Sequence, residues 1–142
     1  MRIVPVEGKD LPLVKKLLEN VGLSWAGIED QFEHFLKLML DGELVAVAGL
    51  EVYDHVGLMR SVAVAQEYRH SGLGRGLTRA MINKARSMGL ERLYLLTETA
   101  SDYFYRFGFR PIDRSEVYAP VLGSEQFRTV CSSNAVSMYL KL

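Results

Sequence analysis

The stretch Val62-Ala63-Val64-Ala65-Gln66-Glu67-Tyr68-Arg69-His70-Ser71-Gly72-Leu73-Gly74-Arg75-Gly76-Leu77 is an apolar strand, a short polar loop, and then glycines at a helix start. The apolar period changes inside it. Val56–Val64 reads as a strand, whereas Leu73, Leu77, Ala80, Met81, Ala85 and Met88 recur along one helix face until Gly89 ends it. Arg92–Thr97 is again a strongly apolar strand. A strand–helix–strand unit of this length implies a parallel crossover. The first amides of a helix lack intrahelical acceptors and carry partial positive charge. Glycines let that backbone approach a phosphate closely. No acidic residue occurs from Arg69 to Leu90, while Arg69, Arg75, Arg79, Lys84, Arg86 and His70 lie there.

Two phosphate-binding motifs fail on register. A P-loop ends in Gly-Lys-Ser/Thr, which is absent. The dinucleotide fingerprint Gly-x-Gly-x-x-Gly requires a third glycine where Leu77 or Arg79 stands. On the glycines alone, a tight turn with a solvated basic helix face is favoured over a phosphate site.

Outward from this segment, Phe35–Leu40 and Glu43–Tyr53 flank Asp41-Gly42, a hairpin signal because both turn residues need positive φ. Asp54-His55 is the next tight connection, so the first strands form an antiparallel meander. Arg2–Val6 reads as a strand, followed by a helix from Asp10 as N-cap, with Pro12 in its first turn and Gly22 as its stop. Ser24–Glu33 reads as a loop and short helix around Trp25. Ser101–Phe107 reads as a short helix closed by Gly108, and Phe109–Ile112 and Ala135–Leu142 as the last strands. Between them Asp113–Asn134 is a long polar excursion, of a length that often carries function. The expected fold class is α/β with a mixed sheet: a meander, then a parallel strand–helix–strand unit.

The chain has 142 residues, 49% hydrophobic and 24% charged, with 17 basic and 17 acidic side chains. That composition suits one globular domain over residues 1–142 and excludes disorder. Zero formal charge argues against a protein that grips duplex DNA by overall charge, so no nucleic-acid partner is expected. One cysteine, Cys131, excludes an internal disulfide framework, and His34, His55 and His70 show no metal-ligand spacing, so no metal is expected. No apolar run approaches the roughly 18 residues of a membrane span, and Met1–Pro5 lacks a signal-peptide core. A cytoplasmic protein with no membrane partner and a reduced Cys131 is the expectation.

Taken whole, the string resembles the Gcn5-related N-acetyltransferase (GNAT) superfamily. Its signature Gln/Arg-x-x-Gly-x-Gly/Ala after an apolar strand is matched by Arg69-His70-Ser71-Gly72-Leu73-Gly74. Leu58–Val64 before it, Leu93–Thr97 after it, and Phe104-Tyr105-Arg106-Phe107-Gly108-Phe109 follow the family's order, so the likeness runs from about Asp41 to Pro111. The resemblance implies the acyl-CoA N-acyltransferase fold and acetyl-CoA as co-substrate. Main-chain groups of Val62 and Val64 would pair with the pantetheine arm like an added strand. Amides of His70, Ser71, Gly72, Leu73, Gly74 and Arg75 would cradle the pyrophosphate. Arg69 or Arg75 would meet the 3′-phosphate or stay solvated. Dimers are common in the superfamily, which admits a homodimer.

The family often supplies the acid for the departing thiolate as a tyrosine four residues ahead of the helix-closing glycine, where this chain has Phe104. Tyr103 and Tyr105 flank it and should point elsewhere on a helix; Tyr105 is kept as an acid candidate beside its packing role. The family's asparagine near the helix start is replaced, with Ser101 a substitute or a helix cap. Glu51, inside Leu50-Glu51-Val52, and Glu98, after Leu93–Thr97, are the candidate bases, or else solvated carboxylates. Arg60, inside Leu58-Met59-Arg60-Ser61-Val62, either clamps an acceptor carboxylate or pairs internally with Glu51.

Three further stretches look like the arsenic-resistance N-acetyltransferase branch: Leu58–Val64, Leu93–Ala100, and Glu125-Gln126-Phe127-Arg128-x-x-Cys131-Ser132-Ser133-x-Ala135. Leu95–Asp113 is also similar to the catalytic domain of N-acetylglutamate synthases. Both imply a small glutamate-like amine, or a toxic analogue of one, as acceptor. Arg60, Thr97, Arg128 and Ser132 would bind its anionic ends. A non-catalytic acyl-CoA module and a protein or peptide N-acetyltransferase are the alternatives.

Overall fold

The computed structural model describes residues 1–130 and 134–142. Asp41 and Gly42 both take positive φ, 50° and 80°, and join β2 (Leu36–Leu40) to β3 (Glu43–Tyr53) as an antiparallel pair whose register shifts between Leu38 and Met39. β1 (Arg2–Pro5) lies antiparallel to β2, and β4 (Val56–Val64) returns antiparallel to β3. α2 (Leu73–Ser87) then crosses over, so that β5 (Arg92–Thr97) runs parallel to β4. α3 (Ser101–Tyr105), β6 (Arg110–Pro111), α4 (Ala119–Leu122), α5 (Glu125–Thr129) and β7 (Val136–Lys141) follow. The result is one mixed seven-stranded sheet in the order β1-β2-β3-β4-β5-β7-β6. Among the described residues no helix is long and apolar enough to cross a membrane.

Strand alternation sends apolar side chains to both faces. On one face Leu38, Ala46, Leu50, Met59, Leu93 and Leu95 pack against Leu77, Met81 and Ala85 of α2 and against Phe104 and Phe109. On the other face Phe35, Val47 and Ala63 pack under Val14, Leu17 and Leu18 of α1 (Leu11–Asn20). Phe35 is fully buried and its ring lies on Gly49; a Cβ there would come within 2.5 Å of the ring.

Three expectations are corrected. Asp10 is not the side-chain cap of α1. It has helical dihedrals, φ −82° and ψ −16°, and its carboxylate turns back to accept from the Glu7 amide at 2.7 Å and the Lys37 ammonium at 2.6 Å. The last connection is not a polar excursion. Val117, Val121 and Phe127 are buried against Val56, Leu58, Tyr94 and Leu96, roughly 1.5–3 kcal/mol of transfer free energy each. The strand expected over Phe109–Ile112 loses its first residue: Arg110 and Pro111 pair with β7 and the Ile112 amide bonds to the Ser137 carbonyl at 2.9 Å, but Phe109 turns inward with its amide on the Phe104 carbonyl at 3.3 Å.

The feature that shapes the site is where β4 and β5 stop pairing. Only Val56–Leu58 pair with Arg92–Tyr94. Beyond them β4 pairs with β3 alone and β5 with β7 alone, so a gap opens between the two parallel strands. The β3–β4 register shifts between Val47 and Gly49, and opposite that shift Ser61 sits at φ +57°. A bulge of this kind bends a strand out of plane and strengthens its twist.

Gly49→Ala should destabilise the fold by about 1–3 kcal/mol, because the added methyl must displace the Phe35 ring from a filled core. Combining it with Phe35→Leu should recover part of that loss. Urea unfolding midpoints of the two single variants and the double variant measure the coupling.

Candidate functional site

The loop ahead of α2 is built to present amides. After a short 3-10 turn over Gln66–Tyr68 the chain passes through left-handed dihedrals at His70 (φ 63°) and at Gly72 (φ 85°). The Ser71 hydroxyl donates back to the Tyr68 carbonyl and fixes the bend. The Leu73 amide donates to Ser71 Oγ at 3.4 Å, and the next amide of α2 with an acceptor is that of Gly76, on the Gly72 carbonyl at 3.2 Å. Among the described residues the amides of His70, Ser71, Gly72, Gly74 and Arg75 have no hydrogen-bond partner. Successive amides turned inward in this way form a concavity for an anion. The Arg75 guanidinium folds across it, 3.4 Å from where a Cβ on Gly72 would lie, and Arg69 and His70 are exposed beside it.

One edge of the gap is main chain. The Ala65 amide bonds to the Val45 carbonyl at 2.8 Å, on the β3 side. By ladder alternation the main-chain groups of Val64 and Val62 point the opposite way, into the gap. Gly74 abuts this edge, since a Cβ there would come within 3.0 Å of Val64 Cγ2. The loop, the free edge and the α2 terminus therefore form one continuous surface.

Helix α3 closes the gap on the α2 side. Tyr105 is 53% exposed, with the Arg110 guanidinium 4.0 Å above its ring. Phe104, at the usual tyrosine position, is buried edge-on against Phe109. Tyr103, expected to point elsewhere, is the residue that reaches the glycines. Its hydroxyl lies 3.0 Å from Thr78 Oγ1 and 3.7 Å from where a Cβ on Gly74 would be. The spacing of Gly74 and Thr78, one helical turn apart, was the available signal. Ser101 starts α3 but does not cap it; Thr97 Oγ1 instead accepts from the Ala100 amide at 3.0 Å.

On the opposite side lie Glu51 and Arg60, 2% and 3% exposed. Arg60 donates to Glu51 Oε2 at 3.1 Å, to the carbonyls of Ala26 and Ser24 at 2.8 and 3.2 Å, and through Nε to Ser61 Oγ at 2.9 Å. The other Glu51 oxygen accepts from the Tyr53 hydroxyl at 2.6 Å. Burial, that hydrogen bond and the Glu51 charge push Tyr53 up to about 12. Of the alternatives open for these two residues, the geometry is that of an internal ion pair, with both carboxylate oxygens committed. Burying both charges is tolerable only because each is paired and hydrogen-bonded. Glu98 lies exposed just beyond β5, without an ion-pair partner among the described residues. Arg128 is exposed on α5 and pairs with Glu125. Ser132 and Cys131 lie outside the described residues.

Known proteins align with this architecture. A family model described as the acetyltransferase (GNAT) family matches residues 10–109. Amino-acid acetyltransferases from Edwardsiella ictaluri and Yersinia pestis are each 34% identical over 88 residues, 61% of this chain and 20% of the relative. The chain thus spans about a fifth of the length of these curated relatives. The N-acetylglutamate synthase of Neisseria gonorrhoeae, solved with coenzyme A and N-acetyl-glutamate, superposes with a TM-score of 0.85 at 25% identity, over 99% of this chain and 35% of that one. At 22% identity, and so for the fold alone, Rv2747 from Mycobacterium tuberculosis, solved in complex with CoA, superposes with a TM-score of 0.79 over 100% of this chain and 99% of that one. The family match runs from Asp10, through the open β4 edge and the amide-lined loop, to Phe109 behind α3: this chain belongs to the acetyltransferase (GNAT) family.

Proposed function

We propose that residues 1–142 act as one cytoplasmic N-acetyltransferase domain, which moves the acetyl group of acetyl-CoA to the amine of a small, glutamate-like amino acid. The observation that carries this reading is the joining of unpaired amides at the α2 terminus to the unpaired β4 edge. A diphosphate suits the concavity and Arg75, and an amide-bearing arm suits a strand edge. Support for the acceptor class comes from the amino-acid acetyltransferase relatives and from the synthase solved with N-acetyl-glutamate.

In this reading the acceptor approaches through the gap from the α1 side. Its neutral amine attacks the thioester carbonyl carbon; the C–N bond forms and the C–S bond breaks. The Val62 amide, facing the gap, is a donor for the carbonyl oxygen as charge develops on it. Glu98, the uncommitted carboxylate of the two candidate bases, takes the amine's proton. The leaving thiolate needs little help, because a thiol pKa of about 8.5 makes it a good leaving group without a protein acid. It takes its proton from water, and the burial of Phe104 costs the reaction no essential acid. Arg128, with Thr97 and Ser132, serves the acceptor's carboxylates, while Arg60 stays committed to Glu51 and to the Ser24 and Ala26 carbonyls and holds the Ser24–Gly27 loop in place.

Mixing the protein with acetyl-CoA and a panel of acidic amino acids, including their phosphorus and arsenic analogues, should release CoA with at least one of them. Binding of acetyl-CoA without any release would reduce the protein to a binding module. Gly74→Glu should abolish acetyl-CoA binding in calorimetry, since its side chain meets Val64 and its charge opposes the phosphates; retained affinity would move the diphosphate elsewhere. Glu51→Gln should lower activity without changing the shape of the pH–rate profile. Loss of the limb that reports the base would make Glu51, not Glu98, the proton acceptor.

A further inference from the structure

We propose that the contact between Gly27 and Glu125 is a size filter, which bridges the β4–β5 gap on the α1 side and limits the acceptor to a free amino acid rather than a peptide chain. The inference rests on the N-acetyltransferase reading above and adds which amines can reach the acetyl group.

The two halves of the bridge are fastened to opposite banks of the gap. The segment Ser24–Gly27 is tied to β4, because Arg60 donates to the Ser24 and Ala26 carbonyls. It is also pinned to α1: the Trp25 indole donates to Glu19 at 2.8 Å, and the Lys15 ammonium lies 4.6 Å from the ring centre. Helix α5 is tied to β5 through Phe127, buried in one cluster with Tyr94 and Leu96. Its start is fixed by Ser124, whose side-chain oxygen accepts from the Phe127 amide at 3.2 Å. Arg60 lies just past the last paired residue of β4, so the bridge stands where the strands begin to part.

The halves touch. A Cβ built on Gly27 would lie 2.8 Å from Glu125 Cγ and 3.3 Å from its Cβ. Gly27 takes φ 76°, so the approach also uses a conformation that other residues rarely adopt. The carboxylate of Glu125 is engaged with Arg128, which leaves the methylene portion of the side chain facing the loop. A peptide laid through this opening needs about 4.7 Å to each flanking strand. Two surfaces already in van der Waals contact leave no such clearance, whereas a free amino acid can enter beside them.

The test compares glutamate with the dipeptide glutamyl-alanine as acceptors, read as CoA release. The wild-type protein should favour the free amino acid. Glu125→Ala removes the touching methylenes and should raise the peptide-to-free ratio by about tenfold, the usual worth of a few buried methylenes in discrimination. Glu125→Gln keeps the volume and removes the charge, and should leave the ratio where it was. An unchanged ratio in Glu125→Ala, an equal rise in Glu125→Gln, or a wild-type protein that takes the dipeptide as readily as glutamate each overturns the filter while leaving the acetyltransferase reading intact. A wild-type protein that acetylates neither amine removes that reading, and the filter with it.

Discussion

Everything at the site depends on how early β4 lets go of β5. Two parallel strands buried in one sheet normally keep their ladder, because an unpaired main-chain group away from water costs free energy. Here only Val56–Leu58 hold to Arg92–Tyr94. The bulge at Ser61 is the local cause, since a residue held at positive φ turns the strand before its amides can meet β5. The same bend supplies an edge that a linear ligand can complete. A non-glycine residue in that conformation costs of order 1–3 kcal/mol, and the Arg60 Nε bond to Ser61 helps to hold it there.

The Glu51–Arg60 pair belongs to the same arrangement. With Glu51 2% and Arg60 3% exposed, the pair earns little net stability, because desolvation offsets attraction. Its effect is positional: it fixes the α1-side loop over β4 and shares one buried network with Tyr53. The two faces of the gap are thus finished by different means, exposed amides and arginines on the α2 side and a sealed ion pair under a loop on the α1 side.

Much of this was legible in the sequence. Asp41-Gly42 marked a hairpin and formed one, and the change of apolar period at Leu73 located α2 and with it the parallel crossover. The glycine register separated this loop from two other phosphate motifs, and the family likeness agrees with the match over residues 10–109. What stayed hidden was set by tertiary contacts. Asp10 looks like a cap because its neighbours are helical, but a buried Lys37 27 residues away claims its carboxylate. Val117, Val121 and Phe127 are too widely spaced among polar residues to show a period, although each fills the same patch of sheet. Tyr103 and Tyr105 are two residues apart on a short helix, and only the position of α2 decides which faces the glycines.

The strand order also orders events on the way to the native state. β7 lies between β5 and β6, both of which precede it in the chain. During synthesis β6 has no sheet to join until β7 arrives, and β5 is left with a bare apolar flank. The meander β1–β4 depends on nearer neighbours and is free of this wait. Non-local pairings close slowly, because loop entropy is spent before contacts return it. The part of the chain beyond α2 is therefore the part most exposed to proteolysis and misassociation during synthesis.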